Sequence, residues 1–511
     1  MSSQTSTVTP LIKTFKLRFS GSWILLGLGL ILGVAIARLI VDENWQFALV
    51  LLFALPAFVL LYRYPLLALF IWLMVMPFLL TTYTVTDRRV YWLIHRALPP
   101  FTLGLVVFKS LSRVNRRKLP RMGLPEYAMV GYVVASLLSI YYLSESTLAT
   151  TYIFYDRVFS PMCLYFIVRL TTPTQKDIER LMPIVFYLAF SQSLIGIMSW
   201  ISPQFLPRQW LELVGVRTTG SLVTTGVYTT TLTFAGLLVL HTAMNSTSRK
   251  VRILSTITFL LCAYCIFLSF SRASWLAAIL VLPALVYLYP KFMIRLGLIA
   301  STVMFILGGT LLAEEFRWAR QRLYSQDAER SAFSRLPVFY AAYRMFQEKP
   351  LTGWGYNNFD LHDRQFQSQL GDFYGDAKDH ASHNLYLTVL AEQGLSGFIL
   401  LLAPLFWWLM LSAITLTRMP GHGFWSRKLL IIFWLVILSH IIVNNFSNMK
   451  VVFGLGMWWI TLGLIASMIQ PHIAAGEPFF IPRARRRTPH IPVMGYLLPE
   501  DQPESSSTKE L

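Results

Sequence analysis

Three polar positions sit where apolar runs end, and their residue types suit the handling of an anion and a hydroxyl group. Ser269-Phe270-Ser271-Arg272-Ala273-Ser274-Trp275 places a guanidinium between two apolar runs. Arginine at a membrane boundary is costly unless it snorkels to water or meets an anion. The plain alternative for Arg272 is an interfacial anchor beside Trp275. Arg217 lies in Val216-Arg217-Thr218-Thr219-Gly220-Ser221, just before another run. Hydroxyl residues and a glycine beside an arginine can turn backbone N–H groups and a guanidinium toward a phosphate. A solvated loop arginine is the competing reading. His383 stands in His380-Ala381-Ser382-His383-Asn384, where a polar stretch meets Leu385-Tyr386-Leu387. A histidine with a pKa of about 6.5 can take a proton from a hydroxyl nucleophile at neutral pH; a capping or loop histidine is the alternative. Glu392 follows inside an apolar stretch, where a carboxylate is expensive and so a functional candidate, for instance as an arginine's partner. Gly394 and Gly397 allow close helix packing. Upstream, Pro350-Leu351-Thr352-Gly353-Trp354-Gly355-Tyr356-Asn357-Asn358-Phe359 reads as a turn exposing Trp354 and Tyr356, which would stack on sugar faces or rest on the membrane.

These residues must be carried by membrane helices. The chain has 511 residues, 55% hydrophobic and 14% charged, with a mean hydropathy of +0.54; soluble chains carry about 25% charged residues. Apolar runs long enough to cross a bilayer recur from Ser22 almost to Gln470. Strict alternation is absent, which excludes a β-barrel, and one soluble core would be overfilled. The runs predict an all-α polytopic bundle of about 12–14 spans. Their positions are 22–41, 45–62, 65–82, 97–111, 125–143, 150–168, 181–201, 222–241, 253–270, 274–290, 292–312, 385–410, 429–447 and 451–469. The segment 97–111, opened by Pro99-Pro100, is a candidate re-entrant piece, and the pair flanking Ser271 a candidate hinge. The run 22–41 reads as an uncleaved signal anchor.

The net charge of +19 would suggest nucleic acid in a soluble chain. Here Lys13, Lys16 and Arg18, then Arg113 to Arg121, then Arg249, Lys250 and Arg252 gather in alternate short loops, as membrane orientation demands. Nucleic-acid binding is therefore not expected. Both termini are predicted on the cytoplasmic side of the inner membrane. The organisation is a tail 1–20, transmembrane helices 21–312, a mainly helical extracytoplasmic loop domain 313–384, transmembrane helices 385–470, and a disordered tail 471–511. This register puts Arg217, Arg272 and His383 outside, where positive charge is disfavoured, and so favours anion binding by Arg272. Cys163, Cys262 and Cys265 fall in apolar runs as small packing residues. No further ligand completes a metal site beside them. Without an outer Asp-x-Asp pair or a nucleotide-binding glycine loop, neither metal nor cofactor is expected.

In this order the pieces resemble the O-antigen ligase and O-antigen polymerase superfamily over roughly residues 210–400. The matching pieces are Arg217 to Gly220, Ser271 to Trp275, Pro350 to Gly355 with Asn358-Phe359, and above all His383-Asn384-Leu385-Tyr386-Leu387 running into Glu392-Gln393-Gly394-Leu395-Ser396-Gly397. The resemblance implies many membrane helices with a helical outer domain. It implies transfer of a glycan from a polyprenyl-diphosphate carrier to an acceptor hydroxyl outside the cytoplasmic membrane. The partners implied are a lipid-linked oligosaccharide donor, a glycan or lipid acceptor, and membrane lipids. Arg217 and Arg272 would hold the diphosphate, and His383 would matter for activity. One departure stands out: the family often has Pro-Asn shortly after the first arginine, and this chain has Thr225-Gly226. The motifs do not encode the acceptor, so a polymerase of lipid-linked repeat units stays open. A transporter or flippase of lipid-linked glycans would use the same arginines without needing His383.

Overall fold

The structure is a computed structural model that describes residues 56–81, 84–111, 120–211, 217–307, 312–326, 333–367, 382–447 and 451–473, with a few residues between 33 and 52. The chain divides into a unit Met1–His472 and a unit Ile473–Leu511. All elements below belong to the first; the second lies outside the described residues beyond 473.

Helices α1 (Pro56–Arg63) and α2 (Leu66–Phe78) meet at a 112° bend. Then come α3 (Val85–Leu111), α4 (Leu124–Leu143), α5 (Thr147–Phe154), α6 (Ser160–Thr171), α7 (Gln175–Ile201), α8 (Thr225–Asn245), α9 (Arg249–Leu268), α10 (Arg272–Leu288) and α11 (Pro290–Leu307). The segment expected to lie outside, called the outer segment below, contributes α12 (Ala313–Tyr324), α13 (Leu336–Glu348) and α14 (Phe359–Gln367). Helices α15 (Leu385–Thr415), α16 (Arg427–Asn444) and α17 (Val452–Ile469) close the unit. Eight helices among the described residues are long and apolar enough to cross a membrane, or nine if α1 and α2 form one bent span. The candidate anchor 22–41 lies almost wholly outside the described residues.

The segment 97–111 is not a short re-entrant piece. It is the end of the 27-residue helix α3. The expected segment begins just past Arg96, a charged residue in the middle of α3. The structure cancels that charge: Arg96 donates through Nε and Nη2 to both carboxylate oxygens of Asp156, each at 2.7 Å. Both residues sit in π-helical turns, Trp92–Ala97 and Tyr155–Phe159, where the widened backbone faces them together. A second buried pair, Arg169 with Glu126 at 2.8 Å, sits nearby in sequence on α6 and α4. Cys262 and Cys265 are buried on α9. The Sγ of Cys265 lies 3.3 Å from the Ser193 carbonyl, as packing residues would.

The outer segment has its own small core: Val338, Ala341, Ala342 and Met345 of α13 meet Phe359 and Phe366 of α14, and Ala391 of α15 closes it. The Gly-rich turn is stitched to α15. Trp354 N donates to Ala391 O at 2.9 Å, Gly355 N to Glu392 O at 2.7 Å, and Leu395 N to Pro350 O at 2.8 Å. This pairing needs a break in α15, supplied at Gly394 with φ 64° and ψ −164°. A side chain there would be strained, and its Cβ would run into the Leu351 carbonyl. Gly353 mirrors it, with φ +68° and the Gln393 amide against its missing Cβ. Gly394→Ala should therefore lose about 1–3 kcal/mol from the backbone alone, read as a lower Tm and loss of a monodisperse peak in detergent. Gly104→Ala, in a helix with open space around the added Cβ, should be neutral or stabilising.

Candidate functional site

A cavity of about 550 Å³ opens where the outer segment meets the helix ends. Arg217, Arg272 and His383, from three distant stretches of chain, all line it. Each is held at the start of a helix or just before one. In α8 the Thr224 hydroxyl caps the helix by accepting from Val227 N at 3.3 Å, and Thr225 and Gly226 of its first turn line the cavity. In α10 Ser271 is the cap, its hydroxyl accepting from Ser274 N at 3.4 Å, which makes Arg272 the first helical residue. In α15 the cap is Asn384, whose Oδ1 accepts from Tyr386 N and Leu387 N at 3.0 Å each. The cap is thus supplied by Asn384, and His383, the residue before it, lines the cavity. A fourth helix, α13, starts here too, with Arg335 at its cap position. Helix starts carry partial positive charge and orphan N–H donors, so four together favour an anion.

The backbone holding these groups is strained. Among the described residues the non-glycine positions with positive φ are Thr172, Val223, Phe270, Asn357 and His383. Val223 and Phe270 immediately precede the caps Thr224 and Ser271, and His383 precedes Asn384. Such strain persists only where packing imposes it. Phe270 is buried and packs with Trp200, Phe267 and Trp275. The Arg217 loop is pinned by Gln192, whose Nε2 donates to the Ser221 hydroxyl at 2.9 Å, and by Ser221 donating to Pro77 O at 2.9 Å. Gly220, at φ +58°, presses on Gln192 and on the ring of Tyr228, leaving no room for a Cβ. Ser274 and Thr229 share a 2.6 Å hydrogen bond that ties α10 to α8 beneath the cavity lining. Thr225-Gly226, the departure from the family pattern, starts α8; a Cβ on Gly226 would meet the Ser447 hydroxyl at 2.8 Å.

Glu392, Trp354 and Tyr356 are elsewhere. The Glu392 carboxylate accepts from Asn357 N at 2.9 Å and Phe359 N at 3.4 Å, so it holds the Gly-rich turn in place. Tyr356 is not an exposed stacking platform: it is 7% exposed, lies against Phe154, and burial raises its phenol pKa. Trp354 has one face under the Lys349 ammonium, 3.8 Å from the ring centre, and packs on His362 and Phe366. Its indole N–H donates to Met345 O. Burial, then the Lys349 charge, lowers the His362 pKa. The aromatic signal in this stretch was one of packing, because the turn folds back on α13 and α15.

Two cavity residues were not singled out in the sequence: Arg322 in the last turn of α12 and Arg335. Arg322 carries a buried Nε without a hydrogen-bond partner among the described residues. Arg335 Nη1 donates to Phe446 O at 3.1 Å, beyond the end of α16. A signal for Arg335 did exist: a cation at a helix start, next to Leu336-Pro337, opposes the helix dipole and needs another reason to be there.

Residues 257–402 match the family model described as O-antigen ligase. Over this segment the chain is similar to O-antigen ligases. No curated protein matches the chain. The matched segment contains Arg272, Arg322, Arg335 and His383, together with the interlock of the Gly-rich turn and Gly394. This O-antigen ligase-like segment is of glycosyltransferase type and sits in a multi-pass membrane protein. Within the matched segment, Gly353, Gly355 and Gly394 allow the turn and the helix break to interlock, and Glu392 fastens them.

Proposed function

We propose that this protein transfers a glycan from a polyprenyl-diphosphate carrier to an acceptor hydroxyl at the extracytoplasmic face of the inner membrane. The observation that carries the reading is the meeting of Arg217, Arg272 and His383 in one cavity ringed by helix starts. The cavity lining also includes the exposed apolar residues Leu276 and Phe446, which suit a ligand with a lipid tail. Arg217 and Arg272 grip the diphosphate with charge-assisted, bidentate-capable donors. His383 takes the proton of the acceptor hydroxyl as its oxygen bonds to the anomeric carbon. The bond from that carbon to the diphosphate oxygen breaks, and its electron pair leaves with the carrier. Charge grows on the diphosphate as this happens, and fixed guanidinium and helix-start dipoles stabilise it. In-line attack inverts the anomeric centre.

The test is transfer by purified protein in nanodiscs, with a lipid-linked oligosaccharide donor and a separate glycolipid acceptor. Product glycolipid with release of prenyl diphosphate is expected. Extension of the donor when lipid-linked repeat units are the sole acceptor would instead identify a polymerase. Movement of donor across the bilayer without bond cleavage would identify a transporter and end the proposal.

A further inference from the structure

We infer that Arg322 and Arg335 form a second anion subsite in the same cavity, which takes a phosphate or carboxylate group on the glycan near the reacting bond. The inference rests on the transferase reading and adds a substrate class to it. Four arginines line the cavity, and among the described residues no aspartate or glutamate does. Each phosphate of a sugar–diphosphate–prenyl diester has one ionised oxygen, so two guanidinium groups already match the carrier's charge. Arg217 lies in the loop that leads into α8 and Arg272 begins the apolar helix α10, on the side of the cavity lined by the membrane bundle. Arg322 and Arg335 come from the outer segment instead, from the end of α12 and the start of α13.

Their settings also differ from that of a surface arginine. The buried Nε of Arg322 has given up water without gaining a partner among the described residues, a cost that an anionic ligand would repay. Arg335 is anchored through Nη1 to Phe446 O, which fixes its planar fork across the cavity from α16. Its position at the start of α13 is unfavourable for a cation, and a resident anion removes that conflict. With four arginines and, among the described residues, no carboxylate in the lining, the cavity suits a ligand carrying negative charge beyond the diphosphate.

The experiment compares transfer by the wild-type protein, Arg322→Gln, Arg322→Lys and Arg335→Gln in nanodiscs. Four substrate pairs are used: donor glycan and acceptor, each with or without its phosphate or carboxylate group. Arg322→Gln and Arg335→Gln should raise KM about tenfold for the substrate that bears the extra anion. The same variants should leave KM for its neutral counterpart unchanged, which also reports an intact fold. Arg322→Lys should recover part of the loss. The arm that responds tells whether the anion resides on the donor glycan or on the acceptor. An equal loss with charged and neutral substrates would place both arginines on the carrier diphosphate and overturn the inference, as would no loss at all. Binding of inorganic phosphate, measured without turnover, separates this from failure of the transferase reading. The inference requires a phosphate-binding event that Arg322→Gln removes and Arg272→Gln retains, separate from the one that Arg272 supports, whether or not transfer occurs. The reverse pattern defeats it.

Discussion

His383→Ala is expected to lower kcat for glycan transfer by about 10²–10⁴-fold, with donor binding unchanged. Alanine alone would be an ambiguous probe, because His383 occupies the left-handed region at φ +49°, where alanine is strained. Asparagine visits that region more readily than other non-glycine residues. His383→Asn therefore keeps the backbone and removes the imidazole. If both substitutions abolish transfer to the same degree while the protein stays monodisperse, the lost group is the proton acceptor. If His383→Asn keeps wild-type turnover, the base assignment is wrong and His383 serves only the turn before Asn384. A transport reading predicts that outcome for movement of the lipid, since a carrier site has no proton to remove.

The second large effect is at Arg272. Removing a donor that meets charge in the transition state costs about 10²–10³ in kcat, on the order of 3–4 kcal/mol. Arg272→Ala should show a loss of that size in single-turnover transfer, and Arg272→Lys should restore little of it. Lysine keeps the charge but cannot reproduce the planar fork. Position matters as much as charge: Arg272 is the first residue of α10, behind the Ser271 cap and the strained Phe270. A variant that bound the donor and turned over normally would show that Arg272 is an interfacial anchor after all.

The residues that do the proposed chemistry were legible in the sequence because each is expensive. Arg217, Arg272 and His383 stand where apolar runs begin, and a polar group at such a place needs a ligand or a partner. The segment 313–384 was expected to be mainly helical, and Leu336–Glu348 is one of its helices, with Val338, Ala341, Ala342 and Met345 on its buried face. What could not be read were the long-range cancellations. The expected segment begins just past Arg96, whose partner, Asp156, is on another helix and pairs only in the folded state. Arg322 and Arg335 sit at no apolar boundary in the sequence, and only the fold of α12 and α13 brings them to one cavity. Tyr356 and Trp354 carry the aromatic signature of a sugar platform, yet the backbone pairing of residues 350–355 with α15 buries Tyr356 and packs the half-buried Trp354 against the small core of α13 and α14. Glu392 was a sound candidate by cost alone; its carboxylate is spent on two backbone amides of the chain itself.

The interlock between the Gly-rich turn and the break at Gly394 has a consequence for anyone splicing related chains. The outer segment and the beginning of α15 share one set of main-chain bonds, so neither carries its own geometry. Each residue added between Asn384 and Gly394 would rotate the start of the helix by about 100° relative to that seam and swing the imidazole away from the guanidinium groups. A chimera that aims to exchange substrate preference must transplant residues 350–397 as one cassette, with α13 accompanying it, rather than swapping the exposed loop alone.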